Sequence, residues 1–270
     1  MAHDFDEGYA QEPFRTLCRE YPDDPVYPAA DFRTEWGPIF HRGRLDGSAR
    51  VLVIGQDPAA HESIARRILV GVAGQRAQGF LAKLGVTRSY VFINTFLYSV
   101  VTQDGGTSHQ NDAAIVAYRN RWIDAIIDTG AIEAVVALGT LAQHAWQKWK
   151  STPKGQATTV AFAHIMHPTA DRNVHGDAQH AAFVMQMLHN WNNGLAAVAP
   201  AIAHPNVQVP LVPYGSAFTD ADLAEIPEID LPAGLPAWMR GLDPWASRTG
   251  ANAAAQRATI QVVVPPGVLP

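Results

Sequence analysis

Short apolar runs alternate with longer stretches of helical periodicity across the middle of the chain. The predicted strands are residues 50–54, 90–96, 132–138 and 158–166. The predicted helices are residues 63–84 with breaks at Gly71 and Gly74, then 112–128, 140–149 and 177–191. Short apolar runs that are rich in β-branched residues are typical of strands buried on both faces. The alternation therefore predicts an α/β fold, a three-layer α/β/α sandwich with a central, mainly parallel four-stranded sheet.

The two ends of the chain lack this periodicity. The predicted parts are a lead-in segment (residues 1–48), the α/β/α core (49–195) and a proline-rich extension (196–270). Proline at this density predicts a segment without long regular elements. Trp238, Met239 and Trp245 lie within the extension, and large apolar side chains gain most from burial. We therefore expect the extension to dock on the core through these residues or to be partly disordered.

The net charge of -5 is unevenly distributed. Acidic residues concentrate in residues 1–30 and 215–245, which leaves residues 31–214 with fifteen Lys and Arg against twelve Asp and Glu. A weakly basic core with acidic flanks is compatible with a nucleic-acid partner. It does not require one, because an ordinary solvated surface has a similar balance.

The single cysteine limits the kinds of site that the chain can build. Cys18 alone allows no intramolecular disulfide, no all-cysteine zinc site and no cysteine-ligated iron–sulfur cluster. The sequence also shows no secretory leader and no apolar run of transmembrane length. We therefore expect a cytoplasmic protein.

Polar residues stand at the ends of three predicted strands. Gln56 and Asp57 follow the first strand, Asn94 lies near the end of the second, and His167 follows the fourth. In open α/β sheets, ligands bind beyond the carboxyl ends of the strands. Each residue alone also fits a structural role, as a helix cap, a loop-bonding amide or a turn histidine. A buried amide such as that of Asn94 is costly unless it is hydrogen-bonded, and together these residues predict a site for chemistry.

Five short motifs occur in order across the predicted core. They are G-Q-D-P at 55–58, V-G-V-A-G-Q at 70–75, the strand asparagine Asn94, A-L-G at 137–139 and H-P-T at 167–169. In this order the chain resembles the uracil-DNA glycosylase superfamily over residues 49–193. The first motif is closest to the classical enzymes, whereas residues 67–84 and 135–143 are more similar to the thermophile-type branches. The resemblance implies a DNA-repair hydrolase that removes uracil and leaves an abasic site.

The resemblance implies a role for each polar residue. Asp57 would orient water and stabilise the cationic sugar that forms as the glycosidic bond breaks. His167 would donate a hydrogen bond to O2 of the leaving base, while Asn94 would donate to O4 and accept from N3–H of uracil. Gln56 and the nearby backbone amides would hold the flipped base and a phosphate. The implied partner is DNA, no metal or other cofactor is needed, and a monomer is expected.

Two positions in the predicted base pocket depart from the family pattern. Leu69 stands where relatives often carry the phenylalanine that stacks on the base. Phe96 and Tyr98 are possible substitutes, although both also fit a place in the core. Ala59 stands where the classical enzymes carry a tyrosine that excludes the methyl group of thymine. A smaller wall predicts that other deaminated or 5-substituted bases are also substrates.

The loop after H-P-T-A departs from the pattern as well. Relatives carry a leucine there that fills the gap left by the flipped base, and this chain has Asp171, Arg172 and Asn173. We expect Arg172 to enter the duplex or to contact phosphate, and Thr169 to contact DNA.

Two other functions fit the same residues. One is a protein that flips and traps uracil-containing DNA without turnover. Relatives that trap DNA use a basic loop that ends in histidine, and here residues 103–109 end in His109 but carry no basic residue before it. The other is a hydrolase of nucleosides or small metabolites. The sequence lacks G-x-G-x-x-G and G-K-[ST] motifs, which argues against dinucleotide and NTP chemistry.

Overall fold

The computed structural model describes residues 9–268, and a five-stranded sheet lies at its centre. The strands are β1 (His41–Gly43), β2 (Val51–Gly55), β3 (Tyr90–Asn94), β4 (Ala134–Leu138) and β5 (Ala161–Ile165). Their order is β1-β3-β2-β4-β5, with β1 antiparallel to β3 and the other pairs parallel. Residues 1–8 of the predicted lead-in segment and 269–270 of the extension lie outside the described residues.

The predicted α/β fold with a mainly parallel sheet is confirmed, but the predicted number of four strands is wrong. The additional strand, β1, lies at the edge of the sheet and is three residues long. A strand this short cannot show an alternating pattern of apolar and polar residues in the sequence.

Helices cover both faces of the sheet. They are α1 (Phe14–Arg19), α2 (Ala60–Ala65), α3 (Val72–Lys83), α4 (Gln103–Ser108), α5 (Ala113–Ile127), α6 (Thr140–Lys150), α7 (Pro153–Ala157), α8 (Asp177–Val198) and α9 (Ala253–Ala258). One core cluster joins Leu52 and Ile54 of β2 to α1, α5 and α6. The other joins Val51 and Val53 to α3 and α8. Alternate residues of β2 therefore face opposite helical layers, as a buried strand requires.

The predicted break at Gly74 is wrong. Gly71 does precede α3, but the helix runs through Gly74 without interruption. A Cβ atom at Gly74 would lie 1.5 Å from the carbonyl oxygen of Leu69. Glycine is thus required here for close packing against the preceding loop, and it does not end the helix.

The extension packs against the helix that follows the first motif. Its buried residues Ile226, Leu231 and Trp245 form a cluster with Ala60 of α2 and Val70, and Trp238 and Met239 pack against that cluster. Two short antiparallel strands, β6 (Ala246–Arg248) and β7 (Ile260–Val262), follow. Within residues 9–268, no helix is both long enough and apolar enough to cross a membrane.

A buried carboxylate joins the extension to the sheet. Asp230 is 0% exposed and forms ion pairs at 2.7 Å with Arg42 of β1 and with Arg44. Tyr90 of β3 also donates its hydroxyl to Asp230 at 2.7 Å. Arg42 is equally buried and donates to the carbonyl of Ile68. The buried positive charge of Arg42 is therefore compensated by a carboxylate that lies about 190 positions further along the chain.

Candidate active site

The turn after β2 fixes the carboxylate of Asp57 beside the end of β3. Val100 donates its backbone N–H to Oδ2 of Asp57 at 3.0 Å, and the side chain of Gln56 is also hydrogen-bonded to the carboxylate. Phe96 donates its N–H to the Gln56 carbonyl at 2.9 Å. Side chain and backbone of the turn are thus both held by the loop that follows β3.

Burial raises the pKa of Asp57 to about 6. The hydrogen bonds from Val100 and Gln56 lower the pKa, the nearby carboxylate of Glu62 raises it, and Arg33 lowers it. A carboxyl group with this pKa is ionised at neutral pH in surroundings that solvate its charge poorly. Such a group is suited to stabilising a positive charge that develops beside it.

Asn94 lies next to the first motif, with its amide buried and unpaired. It is 7% exposed, and within residues 9–268 neither its nitrogen nor its oxygen has a hydrogen-bond partner. Asn94 is in register with Gly55, and a Cβ atom at Gly55 would lie 2.3 Å from the Asn94 Oδ1. The glycine of G-Q-D-P therefore makes room for this amide, which couples the two motifs.

His167 follows β5 and presents one defined tautomer. The backbone N–H of Thr169 donates to its Nδ1 at 3.3 Å, and the Thr169 hydroxyl lies 3.2 Å from the same atom. Because a backbone N–H can only donate, Nδ1 is an acceptor and the proton of the neutral ring is on Nε2. Gly139 lies against this histidine, since a Cβ atom there would be 3.1 Å from His167 Cβ and its φ is +86°. The A-L-G motif thus has a packing role beside H-P-T.

Burial and, to a smaller extent, the charge of Arg172 lower the pKa of His167 to about 4, although the charge of Asp171 opposes this shift. The ring is therefore neutral throughout the physiological range. A neutral imidazole whose proton is on Nε2 can donate a hydrogen bond from that atom without carrying a positive charge.

Glu62 ties the first two motifs together. Its side chain is buried, and its two oxygens accept from the N–H of Ala59 at 3.0 Å and from the N–H of Val70 at 3.1 Å. The side chain of Ala59 is exposed at the start of α2. Since the amide of Ala59 already donates to Glu62, it is not free to bind a ligand.

Leu69 lies beside Gly55, on the same side as the amide of Asn94. Its Cδ1 would be 3.4 Å from a Cβ atom at Gly55, and its φ of +53° is rare for a leucine. Phe96 and Tyr98 are 0% and 2% exposed within the core cluster on the opposite face of the sheet. Both are therefore core residues in this structure, and neither is available to stack on a base.

The loop after H-P-T is anchored by an ion pair. Asp171 is buried and pairs with both terminal nitrogens of Arg76 on α3, at 2.8 and 3.1 Å. Arg76 also donates to the Pro168 carbonyl at 2.5 Å. Asp171 is thus structural, whereas Arg172 next to it is exposed. Of these two neighbours in the place of the wedge, only Arg172 has an exposed side chain.

His109 is held between two carboxylates. Its Nε2 lies 2.9 Å from Asp31 and its Nδ1 lies 2.6 Å from Asp112. Burial lowers the pKa of His109, but the hydrogen bonds with both carboxylates outweigh this and raise the pKa above its ordinary value. With both nitrogens engaged, the ring has no free lone pair with which to attack a sugar carbon. This geometry argues against the trapping function.

Sequence reasoning missed several residues around the site. Glu62 had one usable signal, because a glutamate three residues after the start of a helix often bonds back to the first amide. Arg33 and Arg248 gave none, since they reach the site from the two ends of the chain. His61 likewise accepts from the N–H of Trp245 at 3.2 Å, a contact that only the fold reveals.

Within the described residues, no group of three or more His, Cys, Asp or Glu side chains could hold a metal ion.

A comparison with known families places this geometry in context. A family model described as the uracil DNA glycosylase superfamily matches residues 42–192. The matched region covers more than half of the chain and contains Asp57, Asn94 and His167. No curated protein matches the chain. On the strength of the family match, the protein belongs to the uracil-DNA glycosylase superfamily.

Proposed function

We propose that the protein hydrolyses the N-glycosidic bond of uracil in DNA and leaves an abasic site for repair. Membership of the superfamily supports a DNA glycosylase in general. The choice of uracil is supported mainly by one observation, the buried and unpaired amide of Asn94 next to the catalytic turn.

The amide of Asn94 is complementary to one edge of uracil. A buried donor or acceptor without a partner costs roughly 1 to 3 kcal/mol, so a base that satisfies both atoms gains on binding. Uracil offers an O4 acceptor beside an N3–H donor, which matches the two atoms at once. Cytosine offers the opposite polarity at these positions, so the amide matches it only after turning over to exchange its oxygen and nitrogen.

The other two residues divide the charge that develops during cleavage. The electron pair of the glycosidic bond leaves with the base, so the sugar becomes cationic and the base anionic. The ionised Asp57 stabilises the sugar and can accept a proton from the attacking water. His167 donates its Nε2 proton in a hydrogen bond to O2 of the departing base.

Labelled oligonucleotides test the proposal. Matched strands that carry uracil, hypoxanthine, xanthine, ethenocytosine, thymine or cytosine at one position are incubated with the protein and then treated with alkali. We expect abasic sites with uracil and strand breaks only after alkali or heat. Breaks without alkali would indicate a lyase. Hydrolysis of free deoxyuridine in the absence of any product from DNA would favour a nucleoside hydrolase.

Replacing Ala59 with Tyr is expected to narrow activity toward plain uracil. In the proposed complex the exposed methyl group of Ala59 faces C5 of the base, and a ring at this position would clash with a C5 substituent. The measurement is the ratio of single-turnover rates for uracil over 5-hydroxymethyluracil, which we expect to rise by at least about tenfold. Ala114→Tyr, at an exposed position on α5, is the matched control. An unchanged ratio in Ala59→Tyr would assign specificity to another wall, such as that around Leu69.

A further inference from the structure

An arginine from the lead-in segment lies beside the catalytic turn. The backbone of Arg33 donates to the Ser99 carbonyl at 2.8 Å, and its guanidinium donates to the Val101 carbonyl at 3.2 Å. Val100, between these two, is the residue that holds Asp57. Arg33 is 6% exposed, and its Nε has no hydrogen-bond partner among residues 9–268.

A second arginine reaches the same place from the extension. Arg248 in β6 donates to Oγ of Ser63 at 3.3 Å, and its guanidinium lies 5.5 Å from the centre of the Trp36 ring. Ser63 in turn donates to the carbonyl of Ala59 at 3.1 Å. Burial and the charge of Arg33 lower the pKa of Arg248 to about 10, so it stays protonated at neutral pH. The positive charges of Arg33 and Arg248 therefore repel each other.

The carboxylates around these arginines are committed elsewhere. Glu62 binds two backbone amides, and Glu35 forms its ion pair with Arg257 at 2.8 Å. Asp57 lies within electrostatic reach of both arginines but bonds to Val100 and Gln56. Within the described part of the chain, neither Arg33 nor Arg248 forms an ion pair. Two adjacent guanidiniums without a paired carboxylate make a site for an anion, and planar guanidinium groups fit phosphate oxygens well.

We propose that Arg248, with Arg33 behind it, binds a backbone phosphate of the substrate DNA next to the flipped nucleotide. This inference rests on the proposed function, because it takes the substrate to be a polynucleotide. Both arginines lie outside residues 42–192, so the site is built by segments that the family match does not include. A phosphate held here offsets the repulsion between the two guanidiniums and fixes the nucleotide beside Asp57.

Replacing Arg248 with Gln tests the site. The probe is a single-stranded oligonucleotide with one uracil, and binding is followed by fluorescence anisotropy as KCl is raised. We expect affinity to fall by about tenfold and the slope of log K against log[KCl] to become shallower by about 0.7, the loss of one phosphate contact. Arg248→Lys should keep most of the slope. Arg121→Gln is the control, since Arg121 is exposed on α5 and pairs only with Glu20 among the described residues.

Neutral phosphates locate the contact. Methylphosphonate is placed at the phosphates flanking uracil, one at a time, and each oligonucleotide is tested with wild type and Arg248→Gln. At one position, methylphosphonate should weaken binding to the wild type but should not weaken binding to Arg248→Gln. Equal losses in both proteins at every position, or an unchanged salt slope in a folded Arg248→Gln, would overturn the inference. Because this readout is binding, it stands apart from excision: a protein that binds in this way but releases no base would refute the proposed function alone.

Discussion

Replacing Asp57 with Asn is expected to slow base excision at neutral pH by about two orders of magnitude or more. The change removes the negative charge but keeps the shape, and the Asn Oδ1 can still accept the N–H of Val100, which Asp57 holds at 3.0 Å. Substrate binding should survive.

In the wild type, the single-turnover rate should rise with pH and level off above about 6, because burial raises the pKa of Asp57 to that value.

The same substitution is expected to stabilise the protein. The pKa of Asp57 is raised from 3.8 to about 6, so between these values the folded protein holds a proton that the unfolded chain has released. Stability contributed by this group is therefore lost as pH rises through that window, and the ionised carboxylate costs up to about 3 kcal/mol at neutral pH. Urea unfolding of Asp57→Asn at pH 7.5 and pH 4 measures this, with a gain expected at pH 7.5 only. A variant that is inactive and also less stable at pH 7.5 would show that burial of the ionised Asp57 carboxylate does not destabilise the folded protein.

Replacing Asp230 with Ala is expected to lower the free energy of unfolding by about 3 to 5 kcal/mol. Asp230 and Arg42 are both fully buried and paired at 2.7 Å, so the variant leaves the charge of Arg42 without its partner in a region that excludes water. Arg44 and the hydroxyl of Tyr90 lose a bond as well. Chemical denaturation of the variant and the wild type gives the difference.

Two further variants test whether the unpaired charge of Arg42 causes this loss of stability. Asp243→Ala changes an exposed carboxylate of the same extension and should be nearly neutral. Arg42→Met combined with Asp230→Ala should be less destabilised than the sum of the two single variants, because the buried charge is then gone. A small effect of Asp230→Ala would mean that the extension contributes little to the stability of the core.

Much of the sheet could be predicted from the sequence because its central strands are buried on both faces. The runs that became β2, β3 and β4 are almost continuously apolar, and they stop at glycine or asparagine, whereas β5 at the sheet edge is only partly buried and contains His164. The edge strand β1 was not among the four predicted strands because its three residues, His41–Gly43, include two polar ones that are buried through long-range contacts. The pattern of a segment does not reveal a distant partner such as Asp230.

The residues of the candidate site likewise divide into those that a local sequence pattern predicts and those that only the folded structure brings to the site. The positions of Asp57, Asn94 and His167 could be predicted because each follows or ends a parallel strand, and the carboxyl ends of parallel strands meet at one edge of the sheet. Arg33 and Arg248 could not, since more than 200 residues separate them in the chain and neither belongs to a motif. The glycines gave a partial signal. Gly55 and Gly139 were visible within motifs, but only the structure shows that they leave space for Asn94 and His167.

Release of free uracil tests the central claim most directly. A uracil-containing oligonucleotide in excess over the protein is incubated, and free base and abasic strand are quantified by mass spectrometry, with His167→Ala and Asp57→Asn in parallel. We expect free uracil and abasic DNA in equal amounts, over several turnovers, with both variants much slower. A product that stops at one equivalent with uracil-derived DNA attached to the protein, or wild-type rates in both variants, would contradict a hydrolytic site built on Asp57 and His167.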